Sequence, residues 1–158
     1  MDLILWRHAE AGDSLPEHEL DLVRPLTSKG DRQARRVAEW LGQYLPASTR
    51  VLSSPAKRCV QTADTLGRRV RTLDALGPEG TVDGLLAATR WPESKEPVLV
   101  VGHQPTLGMA AAYLMAGQTA LAGEPWSVKK GSVWWLRHRP REGRAEVVIV
   151  AVRTPEGL

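Results

Sequence analysis

The stretch LILWRHAEAG, residues 3–12, places an apolar run directly before a charged pair. Its apolar residues are followed at once by Arg7 and His8, and small residues come next. Short apolar runs that end in a polar or glycine turn are typical of buried strands. In open α/β sheets, ligands bind at the carboxyl ends of the strands. We therefore expect Arg7 and His8 to lie at a ligand-binding edge of a sheet.

Two later segments have the same form. RVLSS at residues 50–54 and PVLVVGH at residues 97–103 are apolar runs that end in polar residues, the second of them in His103. Arg58 lies in the helical pattern that follows the first segment. Because helical side chains lean toward the amino end, Arg58 can reach back over the end of the strand. If the three strands are neighbours, two arginines and two histidines meet at one edge.

Helical patterns lie between these strands. Residues 28–45 carry apolar side chains at helical spacing, and residues 106–117 are an Ala-rich helical pattern that ends at a glycine. We expect another helix to begin with Ser54 as its N-cap and Pro55 at its first helical position. A shorter helix is expected over residues 82–90. Strands that alternate with helices predict an α/β fold with a mainly parallel sheet.

The carboxyl-terminal part has a different pattern. GSVWWLRH and RAEVVIVAVR flank RPREG, which predicts a hairpin with its loop around residues 140–143. Residues 11–30 are expected to form a loop that crosses the top of the sheet. These patterns together predict a three-layer α/β/α sandwich around a mainly parallel, mixed sheet, with a C-terminal β-hairpin. Residues 1–158 are expected to form a single domain.

Composition narrows the class of protein. The chain is 42% hydrophobic and 25% charged, as in globular proteins, and its net charge of +3 suits anionic ligands. Cys59 is the only cysteine, which predicts a reducing compartment. We expect no signal peptide or membrane span, and a cytoplasmic location. The basic run at residues 137–144 is interpreted as a solvated hairpin tip, so nucleic acid is not an expected partner.

The four converging side chains suggest phosphate chemistry. Arginines beside a helix amino terminus fit a tetrahedral oxyanion. A neutral histidine in that positive field is a nucleophile, because the arginines disfavour imidazolium and stabilise charge on phosphoryl oxygens. The sequence has no HExxH motif, paired cysteines or carboxylate cluster, so we expect no metal and no cofactor.

Four segments resemble the motifs of a known family. LILWRHAEA, RPLTSKG, SSPAKRCVQTA and VLVVGHQPTLG are similar to the four motifs of the histidine phosphatase superfamily, the phosphoglycerate mutase-like proteins. Their order and spacing, and the short chain, resemble the SixA-type phosphohistidine phosphatase branch. The resemblance covers most of the chain and implies a mechanism with a phosphorylated enzyme intermediate.

The resemblance also implies a role for individual residues. His8 matches the histidine that takes the phosphoryl group, and Arg7 and Arg58 match phosphate-binding arginines. His103 matches the second histidine, which contacts the phosphate and helps to stabilise the transition state. Arg24 matches the SixA-type arginine that lies over the pocket. In the same motif, Thr27 and Gly30 match the family residues that open the first long helix.

The sequence departs from the family pattern at two points. Ala9 stands where the family usually has glycine, which matters if the backbone there needs a positive φ. A proton-donating acid has no assigned position; the candidates are Glu10, Glu79 and Asp83. A phosphoramidate P–N bond is labile and asks less of a general acid than a phosphate monoester does. This favours phosphohistidine over sugar phosphates as the substrate.

The sequence thus predicts a metal-independent phosphatase with a phosphohistidine enzyme intermediate, acting on phosphohistidine in a signalling or phosphorelay protein. Two alternatives stay open: a phosphatase of a small phosphorylated metabolite, and a non-catalytic phosphate-binding or interaction module.

Ser53 and Ser54 are interpreted as turn and cap residues. Cys59 is expected to be a core residue with no base beside it. The oligomeric state is not predicted.

Overall fold

A six-stranded sheet runs through the middle of the computed structural model, which describes residues 1–158. The strands are β1 (Asp2–Arg7), β2 (Arg50–Ser53), β3 (Val70–Thr72), β4 (Val98–Gly102), β5 (Val133–Arg141) and β6 (Arg144–Arg153). Their order across the sheet is β3-β2-β4-β1-β5-β6. The pairs formed by β1, β2, β3 and β4 are parallel, and β5 pairs antiparallel with both β1 and β6. The predicted mainly parallel, mixed sheet with a C-terminal hairpin is confirmed.

Helices cover both faces of this sheet. They are α1 (His18–Leu22), α2 (Ser28–Tyr44), α3 (Lys57–Asp64), α4 (Val82–Thr89) and α5 (Thr106–Ala116). Short 3₁₀ turns lie at Asp74–Leu76, Gln118–Ala122 and Pro155–Gly157. None of the helices combines the length and the apolar character needed to span a bilayer.

Two cores flank the sheet because side chains of a strand alternate between its faces. Ile4 and Trp6 of β1 point to one face and pack with the apolar sides of α2 and α3. Leu3 and Leu5 point to the other face and pack with α4 and α5. All four side chains have no exposed surface. The predicted three-layer arrangement follows from this division and is confirmed.

Two local predictions are wrong. Helix α3 begins at Lys57, with Ala56 in the N-cap position and no side-chain cap. Ser54 precedes the helix, and its hydroxyl accepts a hydrogen bond from Ala56 N while it also contacts a distant histidine ring. The Ser54 hydroxyl thus makes a cap-like bond to the backbone as well as a tertiary contact, but the regular helix begins only after Ala56. The expected loop over residues 11–30 contains the five-residue helix α1 and the start of α2.

The register of the parallel strands brings three chain segments to one edge. Arg7 of β1 lies opposite Gly102 of β4, and Ser53 of β2 lies opposite Val101 of β4. Since these strands are neighbours and parallel, their carboxyl ends meet at the same edge. The residues that follow each strand therefore face one another there.

Candidate active site

A small cavity of about 200 Å³ opens at the carboxyl ends of β1, β2 and β4. It is polar throughout. Its lining consists of Arg7, His8, Gly12, Ser14, Asp21, Arg24, Arg58, Pro78, His103, Gln104 and Lys130. All five side chains predicted to bind or transfer phosphate are in this set. The structure thus brings together residues from both halves of the chain.

His8 presents one ring nitrogen to this cavity. Its Nδ1 lies 2.8 Å from the carbonyl oxygen of Ala9, and its backbone N–H donates to the carbonyl of Gly102. Because a carbonyl oxygen only accepts hydrogen bonds, Nδ1 must carry the proton in the neutral ring. Nε2 is then left with a free lone pair, as a nucleophile requires.

The surroundings of His8 keep its ring neutral. The ring is 6% exposed, and burial is the main reason that its pKa falls to about 3. The hydrogen bond to Ala9 opposes this shift, and the positive charges of Arg58, Arg7 and Arg24 add to it. At neutral pH the imidazole is therefore uncharged.

Arg7 and Arg58 bring buried donors to the site. Arg7 Nη1 donates to the carbonyl of Val128 at 2.9 Å, and Arg58 Nη1 donates to the carbonyl of Asp21 at 2.8 Å. The Nε atoms of both guanidiniums are buried and have no hydrogen-bond partner in the protein. Buried donors without partners are costly, so these two are suited to an oxyanion that enters the cavity.

His103 faces His8 across the cavity, with ring centroids 5.3 Å apart. Its Nε2 lies 2.7 Å from Ser54 Oγ, and its Nδ1 lies 3.5 Å from Arg58 Nη2. Burial, the neighbouring His8 and the charge on Arg58 lower its pKa to about 3. Because the Ser54 hydroxyl can donate or accept, it can support either tautomer of the ring.

Cys59 lies beside this ring, which corrects the expectation that no base is near it. Its Sγ is 3.4 Å from His103 Nε2. Burial nevertheless raises the pKa of the Cys59 thiol to about 12. The thiol is therefore protonated and packs as a core side chain.

Asp21 joins the two arginines that lie over the cavity. Its Oδ1 accepts from Arg24 Nε at 3.0 Å, and its Oδ2 accepts from Arg58 Nη2 at 3.2 Å. Arg24 Nη1 also donates to the carbonyls of Ala11 and Gly12. Burial alone would raise the pKa of Asp21, but the N–H of Leu15 and the two guanidiniums outweigh it and hold the pKa below its usual range. Asp21 is thus an ionised link between Arg24 and Arg58.

None of the three candidate acids lines the cavity. The Glu10 carboxylate accepts from Thr27 Oγ1 at 3.2 Å. Glu79 lines an adjacent groove, which shares Pro78 with the cavity. Asp83 is exposed in the first turn of α4. The carboxylate that does line the cavity is that of Asp21.

Sequence reasoning missed Asp21 and Lys130, and it assigned Ser54 only a local role. Asp21 precedes Arg24 by three residues, a helical spacing that could have signalled the ion pair. Lys130 carries no such signal, because it comes from the turn before β5 and only the fold brings it to the cavity. Ala9 causes no backbone strain: the positive-φ residues other than glycine are Arg90 and Glu142.

Metal ligands are not grouped in this protein. Residues 1–158 contain no cluster of three or more His, Cys, Asp or Glu side chains arranged to hold a metal ion. The cavity lining supplies one carboxylate against four positively charged side chains. This donor set suits an anion rather than a cation.

Known proteins share both the sequence and the fold. Residues 3–77 match the model of the histidine phosphatase superfamily, branch 1. The phosphohistidine phosphatase SixA of Escherichia coli is 34% identical over 128 residues, which cover 75% of this chain and 77% of that protein. An uncharacterised protein of Picosynechococcus is 36% identical over 144 residues, which cover 87% and 85% of the two chains.

A solved structure extends this similarity to three dimensions. The protein histidine phosphatase SixA complexed with tungstate has a TM-score of 0.75 with this chain and is 27% identical to it. The match covers 99% of each chain. The similarity therefore includes the fold as a whole.

Proposed function

The chain belongs to the histidine phosphatase superfamily and is a phosphatase, and from this we propose that it hydrolyses phosphohistidine on a protein. We further propose that the phosphoryl group passes through His8 and that no metal ion takes part. The observation that carries these proposals is the free Nε2 of His8, held between arginine donors and the ring of His103.

The first step is an in-line attack on phosphorus. The lone pair of His8 Nε2 forms a P–N bond while the bond to the leaving imidazole breaks, and that imidazole takes a proton from solvent. The low pKa of His8 supports this role, because the ring is already unprotonated at neutral pH. Arg7, Arg58 and Arg24 hold the phosphoryl oxygens and offset their charge.

The second step returns the enzyme to its starting state. Water attacks the phosphorus of phospho-His8, the P–N bond breaks, and inorganic phosphate leaves. His103 lines the cavity and Ser54 Oγ lies 2.7 Å from its Nε2, which supports a contact of this ring with the phosphoryl oxygens. We assign it the stabilisation of the transition state in both steps.

No carboxylic acid of the cavity is free to donate a proton to a leaving group, and phosphohistidine is the substrate class that fits this. The one carboxylate of the cavity, Asp21, is held ionised by Arg24 and Arg58. A P–N bond needs less acid assistance than an alkoxide leaving group does. The proteins named SixA among its relatives are phosphohistidine phosphatases, which supports the same substrate class.

The proposed partner is a phosphohistidine-bearing signalling protein, and the proposed location is the cytoplasm. The buried thiol of Cys59 needs no oxidising compartment. We also propose that residues 1–158 act as one histidine phosphatase domain, because both cores pack against the same sheet.

Turnover of matched substrates tests the proposal. A phosphohistidine protein, a phosphoserine peptide and a sugar phosphate are compared by kcat/KM, each with and without EDTA. We expect phosphohistidine to be preferred by roughly tenfold or more, with no effect of EDTA. Faster release from the sugar phosphate would identify a metabolite phosphatase. Loss of activity in EDTA would contradict metal independence, and no turnover of any substrate would indicate a binding module.

A further inference from the structure

A second recess, lined by residues outside the four motifs, contains three arginines. It has a volume of about 470 Å³ and lies along β2 and β3. Its lining is Thr49, Arg50, Val51, Leu52, Arg69, Val70 and Arg71. None of these residues lines the catalytic cavity. We call it the arginine recess.

The sheet register places two of its arginines on one face, and the third lies beside them. Leu52 of β2 lies opposite Arg71 of β3 and Val51 lies opposite Val70, while Arg69 directly precedes β3. Side chains two residues apart along a strand point to the same face. Arg50 and Arg71 therefore project to the face of the sheet that Leu52 shares with α4 and α5, and Arg69 lines the recess with them.

No acidic side chain forms an ion pair with an arginine of this cluster. Each of the three arginines is absent from the ion pairs that the protein forms. The neighbouring Arg90 is 3.6 Å from Glu96, and the charges of both act on Arg50. Burial and the charge of Arg90 lower the pKa of Arg50 below its usual range; Glu96 opposes this shift, and Arg71 adds to it. Like charges held together in this way favour an anionic ligand.

The hydrogen bonds show which donors are free. Arg68, just outside the recess, donates to the carbonyls of Pro46 and Leu45 and so has a structural role. Arg50 donates through Nη2 to the carbonyl of Thr89, but its Nε is buried without a partner. The Arg69 and Arg71 guanidiniums are exposed and have no protein acceptor among these bonds. Most of the donors of the cluster are thus available.

We propose that the arginine recess binds a small anion with two or more phosphoryl groups, at a site separate from the catalytic cavity. Guanidinium donors match phosphate oxygens in pairs. Arg69 and Arg71 are two residues apart in the chain, a span of up to roughly 7 Å, which reaches more than one phosphoryl group. The recess is also larger than the catalytic cavity, which has about 200 Å³.

A nucleic acid is the competing polyanion. Single-stranded nucleic acids bind through aromatic side chains on which bases stack, together with a basic groove. The lining of the arginine recess contains aliphatic side chains, Thr49 and arginines, but no aromatic ring. This favours a compact polyphosphate, and an oligonucleotide serves as the comparison ligand in the test.

The test is a titration of the full chain with inorganic tripolyphosphate. Amide chemical shifts in ¹H–¹⁵N spectra monitor the titration. Amides of residues 50–52 and 69–72 report on the arginine recess, and those of His8 and His103 report separately on the catalytic cavity. We expect saturable shifts at the recess amides. The absence of such shifts at millimolar ligand overturns the proposal, as do shifts caused by an oligonucleotide alone.

Paired variants separate a site from general charge attraction. In Arg69→Gln/Arg71→Gln we expect the recess affinity to fall about tenfold or more, with the catalytic-cavity affinity unchanged. Arg141→Gln/Arg144→Gln removes the same amount of charge from the hairpin tip. It should change neither the recess affinity nor the catalytic-cavity affinity. Equal weakening in both variants overturns the proposal. If the first variant does not fold, the titration of the wild-type chain decides.

Discussion

The imidazole of His8 has one nitrogen available because a backbone carbonyl occupies the other. The carbonyl of Ala9 fixes the proton on Nδ1, and the neighbouring arginines oppose a second proton. The sequence predicted this histidine and its cationic neighbours from their positions at strand ends. It could not predict the tautomer, because the acceptor is a backbone carbonyl whose direction depends on the local fold.

The position of Asp21 in the cavity could not be predicted from the sequence. Its helix, α1, has five residues and no buried side chain, so it carries no apolar periodicity. The contacts of Asp21 with Arg58 are long-range in sequence, and only the folded chain forms them.

At the residue scale, Asp21→Asn should lower kcat/KM about tenfold. The variant keeps the size of the side chain but removes the charge that aligns Arg24 and Arg58. Steady-state kinetics on a phosphohistidine protein measure the effect. Asp13→Asn, an exposed change in the same segment, is the matched control and should retain full activity. Equal kinetics for the two variants would show that Asp21 does not position the arginines.

Helix α2 is fixed to the end of β1 by its first turn. Thr27 accepts from the N–H of Gly30, and the N–H of Thr27 donates to the carbonyl of Glu10 at 3.0 Å. A Cβ on Gly30 would collide with the Glu10 backbone. The motif residues Thr27 and Gly30 therefore hold the segment that follows His8 against the helix.

At the element scale, Gly30→Ala should destabilise the protein by roughly 2 kcal/mol or more, since backbone must move to admit the methyl group. Gly42→Ala in the same helix meets no atom within 4 Å. It should raise stability by about 0.4–1 kcal/mol. Urea unfolding of the two variants measures both effects. If Gly30→Ala left the free energy of unfolding unchanged, this would contradict the close packing of α2 on residue 10.

The long elements were predictable and the short ones were not. Strands β1, β2 and β4 and helices α2, α4 and α5 carry apolar runs or helical periodicity, and the structure confirms them. Strand β3 has three residues, none of them buried, so no apolar pattern marks it. The start of α3 was misplaced by two residues: Ser54 accepts from the Ala56 N–H as a cap would, but the regular helix begins at Lys57.

The molecule as a whole keeps two neutral histidines buried at the carboxyl ends of its parallel strands. His8 and His103 have pKa values of about 3 in the folded chain, against about 6.5 when unfolded. Between these values the unfolded chain binds more protons, so stability falls as the pH is lowered through 6.5. The carboxylates of Asp2 and Asp21, whose pKa values are lowered from 3.8, contribute only at more acidic pH.

At this scale, the free energy of unfolding should fall by on the order of 2 kcal/mol per buried histidine between pH 7 and pH 5. Denaturant unfolding at both pH values measures the fall. His103→Asn should reduce the pH dependence by about half, because one of the two histidines no longer titrates. His18→Asn, at an exposed position, is the control and should not change it. A stability that is flat from pH 7 to pH 5 would mean that the two rings are not buried in their neutral form.

The most direct measurement is the chemical identity of the phosphorylated residue during turnover. The enzyme is mixed with a phosphohistidine protein in EDTA, quenched in base, and mapped by mass spectrometry, with His8→Ala and the exposed His18→Ala as paired variants. We expect a base-stable phosphoryl group on His8 in the wild type and in His18→Ala, and neither label nor turnover in His8→Ala. A phosphoryl group on another residue, or undiminished turnover by His8→Ala, would contradict this expectation.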